Sequence, residues 1–301
     1  YTAYEYLEKR FDLKTRSLAA VLFLFQRGLG TGLTIYAPAI ILSAILGWNL
    51  TYMNIVIGVL VIVYTFSGGT KAVNVTQKQQ MFVIMSGMFI TFFLILRYLP
   101  NDMTFTSALH IAGANDKMNI VNFSFDPEEK YTFWSGITGG FFLALAYFGT
   151  DQSQVGRYLS GRSVKESQMG LIMNGLLKVP MQFFILLTGV MVFVFFQFNP
   201  VPLNFNPNNK AMIEKSAYKG EYNALEKKLD DLSEDKKVIN LLYIDQLNQD
   251  YDNPTLRKEL VTLSNKEKDL RDRAKEIILK ADSNSETNDK YYVFFNFILN
   301  Y

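Results

Sequence analysis

The sequence predicts an all-α membrane protein that carries a charged helical insertion. Three observations lead to this prediction: apolar runs of helical length, basic residues confined to alternate turns between those runs, and one long charge-rich block. The chain has 301 residues, of which 49% are hydrophobic. Its mean hydropathy is only +0.08 because the chain combines two parts of opposite character. Residues 17–199 are mostly apolar, whereas residues 200–290 are rich in Lys, Glu, Asp and Asn.

Several apolar runs reach or approach the length of about 20 residues that a helix needs to cross a bilayer. They cover residues 17–48, 53–67, 80–99, 133–149 and 168–198. Residues 291–301 begin a further run of the same kind, and the chain starts at Tyr1 rather than Met. We therefore expect this chain to be a fragment of a longer membrane protein. The aromatic content of 15% suits a lipid-embedded protein with Tyr and Trp at the interfaces.

Basic residues in the short connecting segments predict the topology, because cytoplasmic loops carry an excess of Lys and Arg. They lie before the first run, after the second and after the fourth: Lys9, Arg10, Lys14, Arg16, Lys71, Lys78, Arg157, Arg162 and Lys165. The turn at 48–52 has none, and residues 101–130 hold few beside several acids. We expect the first, third and fifth runs to lead outward, which puts residues 200–290 on the extracytoplasmic side.

The polar block predicts a helical hairpin, with helices over 221–249 and 254–281 separated by a turn rich in Asn, Asp and Pro. Antiparallel pairing of the two helices would bury their leucine stripes. On the first helix the stripe comprises Leu225, Leu229, Leu232, Leu241 and Leu242. Two interpretations stay open: an insertion that packs on itself over the membrane domain, or a docking arm at 208–290 for an extracytoplasmic protein partner. Charge-rich helices are usually solvated, which favours the first interpretation.

Arg27 and Lys178 each lie about ten residues inside an apolar run, or roughly 15 Å along a helix. Ionisable side chains at membrane depth are costly and are therefore candidates for function. Arg27, with Gln26 beside it, could receive an anionic group of a substrate, or it could pair with a carboxylate on a helix outside this chain. Lys178 could line a water-filled cavity or pair with a carboxylate, and the cost of a lipid-facing lysine favours the cavity.

The sequence contains no recognisable catalytic motif, so we expect that the protein is not an enzyme. It has no Walker loop and no His-rich metal spacing, and His110, the single histidine, lies in a loop. The lack of cysteine excludes disulfides and thiolate metal sites. A net charge of +2 is too small to suggest nucleic acid as a partner. The apolar runs make the lipid bilayer an expected partner.

Four ordered motifs resemble those of the sodium:solute symporter family, closest to its vitamin, monocarboxylate and iodide branch and to its sialic acid branch. They are residues 2–11 before the first run, 35–40 (IYAPAI), 68–76 (GGTKAVNVT) and 147–160 (YFGTDQSQVGRYLS). The resemblance covers residues 1–199 and resumes near Tyr291, so it leaves the insertion uncovered.

The resemblance implies a leucine-transporter-type bundle of two inverted five-helix repeats, of which this chain would hold core helices three to seven and the start of eight. It implies sodium-coupled symport in the cell inner (plasma) membrane, with Na⁺ as coupling ion and no cofactor. Arg27, Tyr147, Lys178 and Gln26 are the implied substrate-binding residues. Tyr147 would act as the inner gate, at an inner mouth formed with Asp151, Gln152 and Gln77. The sodium ligands are expected on helices outside this chain.

Two departures from the family pattern bear on the number of sodium ions and on the class of solute. Gln77 replaces an acidic residue of the family's turn, which favours coupling to a single sodium ion. Ala144 occupies a position that is polar in sugar-binding relatives, so Arg27 and Ala144 together favour an acidic solute such as a monocarboxylate or a sialic acid. For Asp151 and Gln152, structural hydrogen bonding at a helix end is an equally open role. The alternatives are a sodium/sugar symporter and a transporter-like membrane domain of a sensor kinase.

Overall fold

A computed structural model describes most of the chain. The described ranges are residues 3–119, 121–126, 128–129, 131–151, 154–156, 163–249, 251–283 and 285–301. Within these ranges the structure is built from helices and contains no strand, which confirms the predicted all-α class. The chain divides into two compact units, the first formed by residues 1–39 and 119–184 and the second by residues 40–118 and 185–301.

In order along the chain, the helices are α1 (Ala3–Arg10), α2 (Leu13–Leu46), α3 (Leu50–Tyr98), α4 (Phe105–Ala114), α5 (Phe133–Leu145) with a π-helical turn (Ala146–Thr150), α6 (Val164–Phe195), α7 (Pro207–Ile213), α8 (Lys219–Leu247), α9 (Pro254–Ala281) and α10 (Lys290–Asn300). His110, predicted in a loop, lies in one of them, α4.

Four helical segments in the described part of the chain are long and apolar enough to cross a membrane. They are Leu13–Ser43, Leu50–Gly69, Ala72–Tyr98 and Val164–Phe195, and Phe133–Gly149 forms a shorter apolar helix. The protein is therefore a multi-pass membrane protein.

The four membrane segments begin earlier than the apolar runs that predict them, and the second begins at Leu50 instead of residue 53. α2 begins at Leu13 instead of residue 17, and α6 begins at Val164 instead of residue 168. The segment Ala72–Tyr98 begins eight residues before the predicted residue 80. Hydropathy registers only the apolar part of a helix, whereas the backbone hydrogen bonds continue to a capping group. At α2 that group is Asp12, whose carboxylate accepts a hydrogen bond from the backbone N of Thr15 at 2.7 Å. Hydrogen bonding from Thr15 holds the pKa of Asp12 below its ordinary value.

The second and third membrane segments are joined at a kink in α3. Gly69 has φ 55° and ψ −158°, a backbone conformation that suits glycine because a side chain would clash there. The neighbouring Gly68 leaves no room for a side chain, since a Cβ built on it would lie 2.2 Å from the Cβ of Ala72. The glycine pair therefore ends one membrane segment and permits the next to begin.

The hairpin forms as predicted, with α8 and α9 paired antiparallel. Its inward positions follow a heptad spacing, and most are apolar. Those of α8 are Tyr222, Leu225, Leu229, Leu232, Lys236, Asn240, Tyr243 and Leu247, and those of α9 are Leu256, Leu260, Leu263, Glu267, Leu270, Ala274 and Ile277.

The prediction that Leu241 and Leu242 belong to the buried stripe is wrong. Their side chains are 42% and 50% exposed, while Tyr243 and Ile244 are buried in their place. The heptad register from Leu225 reaches Tyr243, and the leucine pair falls outside it. Tyr243 donates from its hydroxyl to Asp252 Oδ1 at 2.7 Å, and burial together with this carboxylate raises the pKa of Tyr243.

A buried ion pair lies at the middle of the hairpin. Lys236 Nζ lies 2.9 Å from Glu267 Oε2, and the side chain of Lys236 is only 5% exposed. Arg271 Nε donates to the other carboxylate oxygen of Glu267 at 3.0 Å. Burial favours the neutral form of Glu267, but the charges of Lys236 and Arg271 outweigh that effect and hold the pKa of Glu267 below its ordinary value.

The hairpin packs on the rest of the second unit. Tyr243, Ile244 and Leu260 share one apolar core with residues of α3, α6 and α10. Ser264 Oγ lies 2.6 Å from Asn115 Oδ1 at the end of α4. The hairpin therefore contributes to the apolar core of its own unit.

Candidate functional site

Arg27 lies on α2 in the first unit, where its charge is paired within the chain. Its Nη2 donates to Oδ2 of Asp151, 124 positions further along the sequence. Its guanidinium carbon also lies 5.4 Å from the ring centroid of Phe23, one turn earlier on the same helix. Cation–π contact of this kind adds to the stability of the guanidinium position. The interpretation that Arg27 pairs with a carboxylate outside this chain needs correction, because the partner is Asp151.

Asp151 is placed by the π-helical turn that follows α5. Its backbone N–H donates to the carbonyl of Ala146 at 3.0 Å, five residues back. Its own carbonyl accepts from the backbone N of Gln154 and of Val155, at 3.0 and 2.9 Å. Single π-helical turns occur frequently at functional sites, where the wider turn displaces the side chains around it. Here the turn carries Tyr147 and ends at the carboxylate that binds Arg27.

An open cavity of about 1010 Å³ surrounds the Arg27–Asp151 pair. Side chains of α1, α2, α5 and the π-helical turn line it, and all of them belong to the first unit. Its polar lining consists of Tyr4, Tyr6, Gln26, Arg27, Thr31, Thr34, Tyr147 and Asp151. The apolar lining includes Leu7, Leu22, Phe23 and Leu143. Such a mixture of apolar wall and a few convergent polar groups is typical of small-molecule sites.

The structure brings together four of the residues that the sequence singles out. Gln26, Arg27, Tyr147 and Asp151 line the same cavity. Tyr147 presents a partly exposed ring, with 37% of its surface accessible.

The remaining predicted residues lie elsewhere. Lys178 lies on α6 with an exposed side chain and does not belong to the cavity lining. Gln77 lies on α3 in the second unit, also exposed. Ala144 lies on α5 with an exposed side chain. Gln152 lies outside the described residues.

The sequence reasoning missed four polar groups of this cavity. Thr31 and Thr34 follow Arg27 at i+4 and i+7, the spacing of one helix face, and this signal was available in the sequence. Their hydroxyls donate to the carbonyls of Arg27 and Thr31, each at 2.8 Å, which leaves the hydroxyl oxygens as acceptors toward the cavity.

Tyr4 and Tyr6 come from α1, a short helix that hydropathy does not connect with the site. The ring of Tyr4 lies 5.7 Å from that of Phe23. Burial raises the pKa of Tyr4, and the charge of Arg27 opposes that shift. Tyr4 therefore remains a neutral hydrogen-bonding group at neutral pH.

No group of three or more His, Cys, Asp or Glu side chains that could hold a metal ion occurs among the residues that the structure describes.

Comparison with known proteins gives one family and several animal relatives. The model of the sodium:solute symporter family matches residues 1–223. The human sodium/iodide cotransporter is 32% identical over 173 residues, which are 58% of this chain and 26% of that protein. Sodium-coupled monocarboxylate transporter 2 of Mus musculus is 34% identical over 174 residues, 58% of this chain and 28% of that protein. A putative sodium-dependent multivitamin transporter of Drosophila melanogaster is 32% identical over 170 residues, 56% of this chain and 28% of that protein.

The chain spans little more than a quarter of the length of these relatives. The family match nevertheless covers more than half of the chain and includes Arg27, Tyr147 and Asp151. The resemblance stated from the four motifs is confirmed, as is the expectation that the protein is not an enzyme, since this is a family of transporters. The chain belongs to the sodium:solute symporter family.

Proposed function

We propose that this protein carries out sodium-coupled symport of a small organic acid by alternating access. Family membership supports sodium as the coupling ion, and the names of the relatives include sodium-coupled monocarboxylate transporters. The observation that carries the choice of solute is the cavity of the first unit. Arg27 supplies a guanidinium to its wall, and the other polar groups of the wall are neutral except for Asp151, the carboxylate that binds Arg27.

The lining of the cavity suits a carboxylate with a short polar or apolar body. Arg27 presents a planar set of N–H donors that matches a carboxylate. Gln26, Thr31 and Tyr147 offer neutral donors and acceptors to the remainder of the solute. A cavity of about 1010 Å³ has room for a monocarboxylate or for a sialic acid.

Sodium enters the cycle by stabilising the state that binds the solute, so that both leave together on the inner side. Gln77 is neutral, and by the resemblance stated above it takes the place of an acid in the family's turn, which supports one sodium ion for each solute. We place the protein in the cell inner (plasma) membrane. The positions of the basic residues support an orientation with residues 200–290 on the extracytoplasmic side.

A panel of labelled solutes tests the proposal in proteoliposomes that contain the purified full-length protein. We expect an inward sodium gradient to drive uptake of lactate or of N-acetylneuraminate, and we expect no uptake of galactose. Replacing sodium by potassium outside should abolish the uptake. Uptake of galactose alone would favour a sodium/sugar symporter, and uptake that is the same with potassium would contradict sodium coupling.

Tyr147→Ala is expected to weaken binding of the transported acid about tenfold, because a buried aromatic contact contributes on the order of 1.4 kcal/mol. The ring lines the same cavity as Arg27, and we expect it to cover the bound solute. Isothermal titration with sodium present measures the effect. Tyr147→Phe keeps the ring and should bind nearly as the unaltered protein does. Equal affinity of Tyr147→Ala and the unaltered protein would count against the gate role.

A further inference from the structure

The anion-binding face of Arg27 is already occupied by a carboxylate of the same chain. Asp151 accepts from Nη2 of Arg27, and its side chain is only 16% exposed. Arg27 itself remains 43% exposed and lines the cavity. The guanidinium is therefore accessible to a solute while it is bound by Asp151.

The charges of the cavity lining cancel. Arg27 supplies one positive charge and Asp151 one negative charge, and the other polar groups of the wall are tyrosines, threonines and Gln26. A neutral cavity has little attraction for an acid. The carboxylate of an acidic solute bound at Arg27 would also lie close to the carboxylate of Asp151, and the two negative charges would repel each other strongly.

The position of Asp151 is linked to that of Tyr147. The backbone N–H of Asp151 closes the π-helical turn Ala146–Thr150 by donating to Ala146, and Tyr147 is the next residue of that turn. Tyr147 and Asp151 both line the cavity, one turn apart. The same short backbone segment therefore positions both side chains at the cavity.

We propose that Asp151 competes with the anionic solute for Arg27, and that the solute binds by displacing this carboxylate. The inference rests on the proposed function, since it requires that the solute is an acid that binds Arg27. It adds a determinant of affinity and selectivity: Asp151 lowers the affinity for every acid, and only acids that make enough further contacts with the cavity displace it. Neutral solutes gain nothing from the displacement.

Asp151→Asn tests the proposal, because it removes the competing charge and keeps the shape of the side chain. The apparent KM for sodium-driven uptake of labelled lactate or N-acetylneuraminate, whichever the unaltered protein transports, is expected to fall about tenfold if Arg27 is free in about a tenth of the unliganded molecules. Asp151→Ser removes the same charge with a smaller side chain and should also lower KM. Asp151→Glu keeps the charge and should restore KM toward that of the unaltered protein.

Glu8→Gln is the matched control. Glu8 also binds an arginine across two helices, Arg16 of α2, but the pair is exposed and does not line the cavity. This variant is expected to leave KM unchanged. Thermal unfolding in detergent identifies the folded variants, and KM is compared among those alone.

Unchanged or raised KM in a folded Asp151→Asn or Asp151→Ser variant would overturn the inference and leave Asp151 with a structural role. If KM is not lowered in those Asp151 variants but Arg27→Ala still loses acid uptake in the same assay, the inference fails while the proposed function stands. If the unaltered protein takes up no acid, the proposed function and the inference fail together. A lowered KM in both neutral variants, reversed in Asp151→Glu, supports the inference.

Discussion

Arg27→Ala is expected to reduce sodium-driven uptake of the acidic solute at least about thirtyfold, because truncating one partner of a hydrogen-bonded charge pair in a binding site costs roughly 2–5 kcal/mol. The reason is that Arg27 carries the positive charge of the cavity described above, and the other polar groups of its lining are neutral or acidic. Initial uptake rates in proteoliposomes, measured over a range of solute concentrations, give the change in kcat/KM. Arg27→Lys keeps the charge and loses the planar donor set, so it should retain a fraction of the activity.

Loss of uptake in Arg27→Ala could come from a lost contact with the solute or from a destabilised fold, so the controls must distinguish these two causes. The substitution leaves Asp151 without its guanidinium partner, which destabilises a largely buried carboxylate. Arg27→Ala combined with Asp151→Asn removes that unpaired charge and should regain stability while acid uptake stays lost. Arg16→Ala, on the same helix in the exposed pair with Glu8, should transport normally. Normal uptake by the Arg27→Ala variant would rule out Arg27 as the solute's anion-binding residue.

Glu267→Leu is expected to destabilise the hairpin by about 3–5 kcal/mol, because it leaves a buried charge without its partner. The charge is that of Lys236, whose side chain is 5% exposed and 2.9 Å from Glu267. Protection of α8 and α9 from trypsin in the full-length protein, together with the unfolding temperature, measures the loss.

A double substitution separates the charge effect from the loss of side-chain volume. Lys236→Met with Glu267→Leu replaces the pair by apolar groups and should recover most of the stability, since such replacements are often neutral or stabilising. Asp272→Ala, which breaks the exposed pair with Lys275 on the same helix, should change stability by less than about 1 kcal/mol. Equal losses in the single and double variants would show that Lys236 does not carry the effect.

In the hairpin, sequence periodicity predicts the helix bounds well and the buried face only in part. Its two helices end within two residues of the predicted bounds, because Pro254 and the turn before it leave few alternatives. The inward face was predicted correctly at Leu225 and Leu229 but not at Leu241 and Leu242. Leucine content alone does not identify the buried face, since polar residues such as Lys236 also occupy inward positions when a partner such as Glu267 satisfies them.

At the candidate site, the sequence identifies individual residues but not which of them lie together. The sequence marked Arg27 by its depth in an apolar run and Asp151 by its place after one, yet no local signal joins two residues 124 positions apart. Lys178 satisfied the same depth criterion as Arg27 and lies outside the cavity. Depth depends on distance along one helix, whereas membership of a cavity depends on which helices pack together and which faces they present.

The sequence by itself determined the membrane helices, the charged hairpin and the family, because bilayer thickness, heptad spacing and short motifs all act on neighbouring residues. Only the tertiary structure decided that Arg27 binds Asp151, that Tyr4 and Tyr6 of α1 reach the same cavity, and that the hairpin packs on the helices of its own unit. The physical reason is that these contacts join residues far apart in the sequence, and the distances between such residues are defined only once the chain has folded.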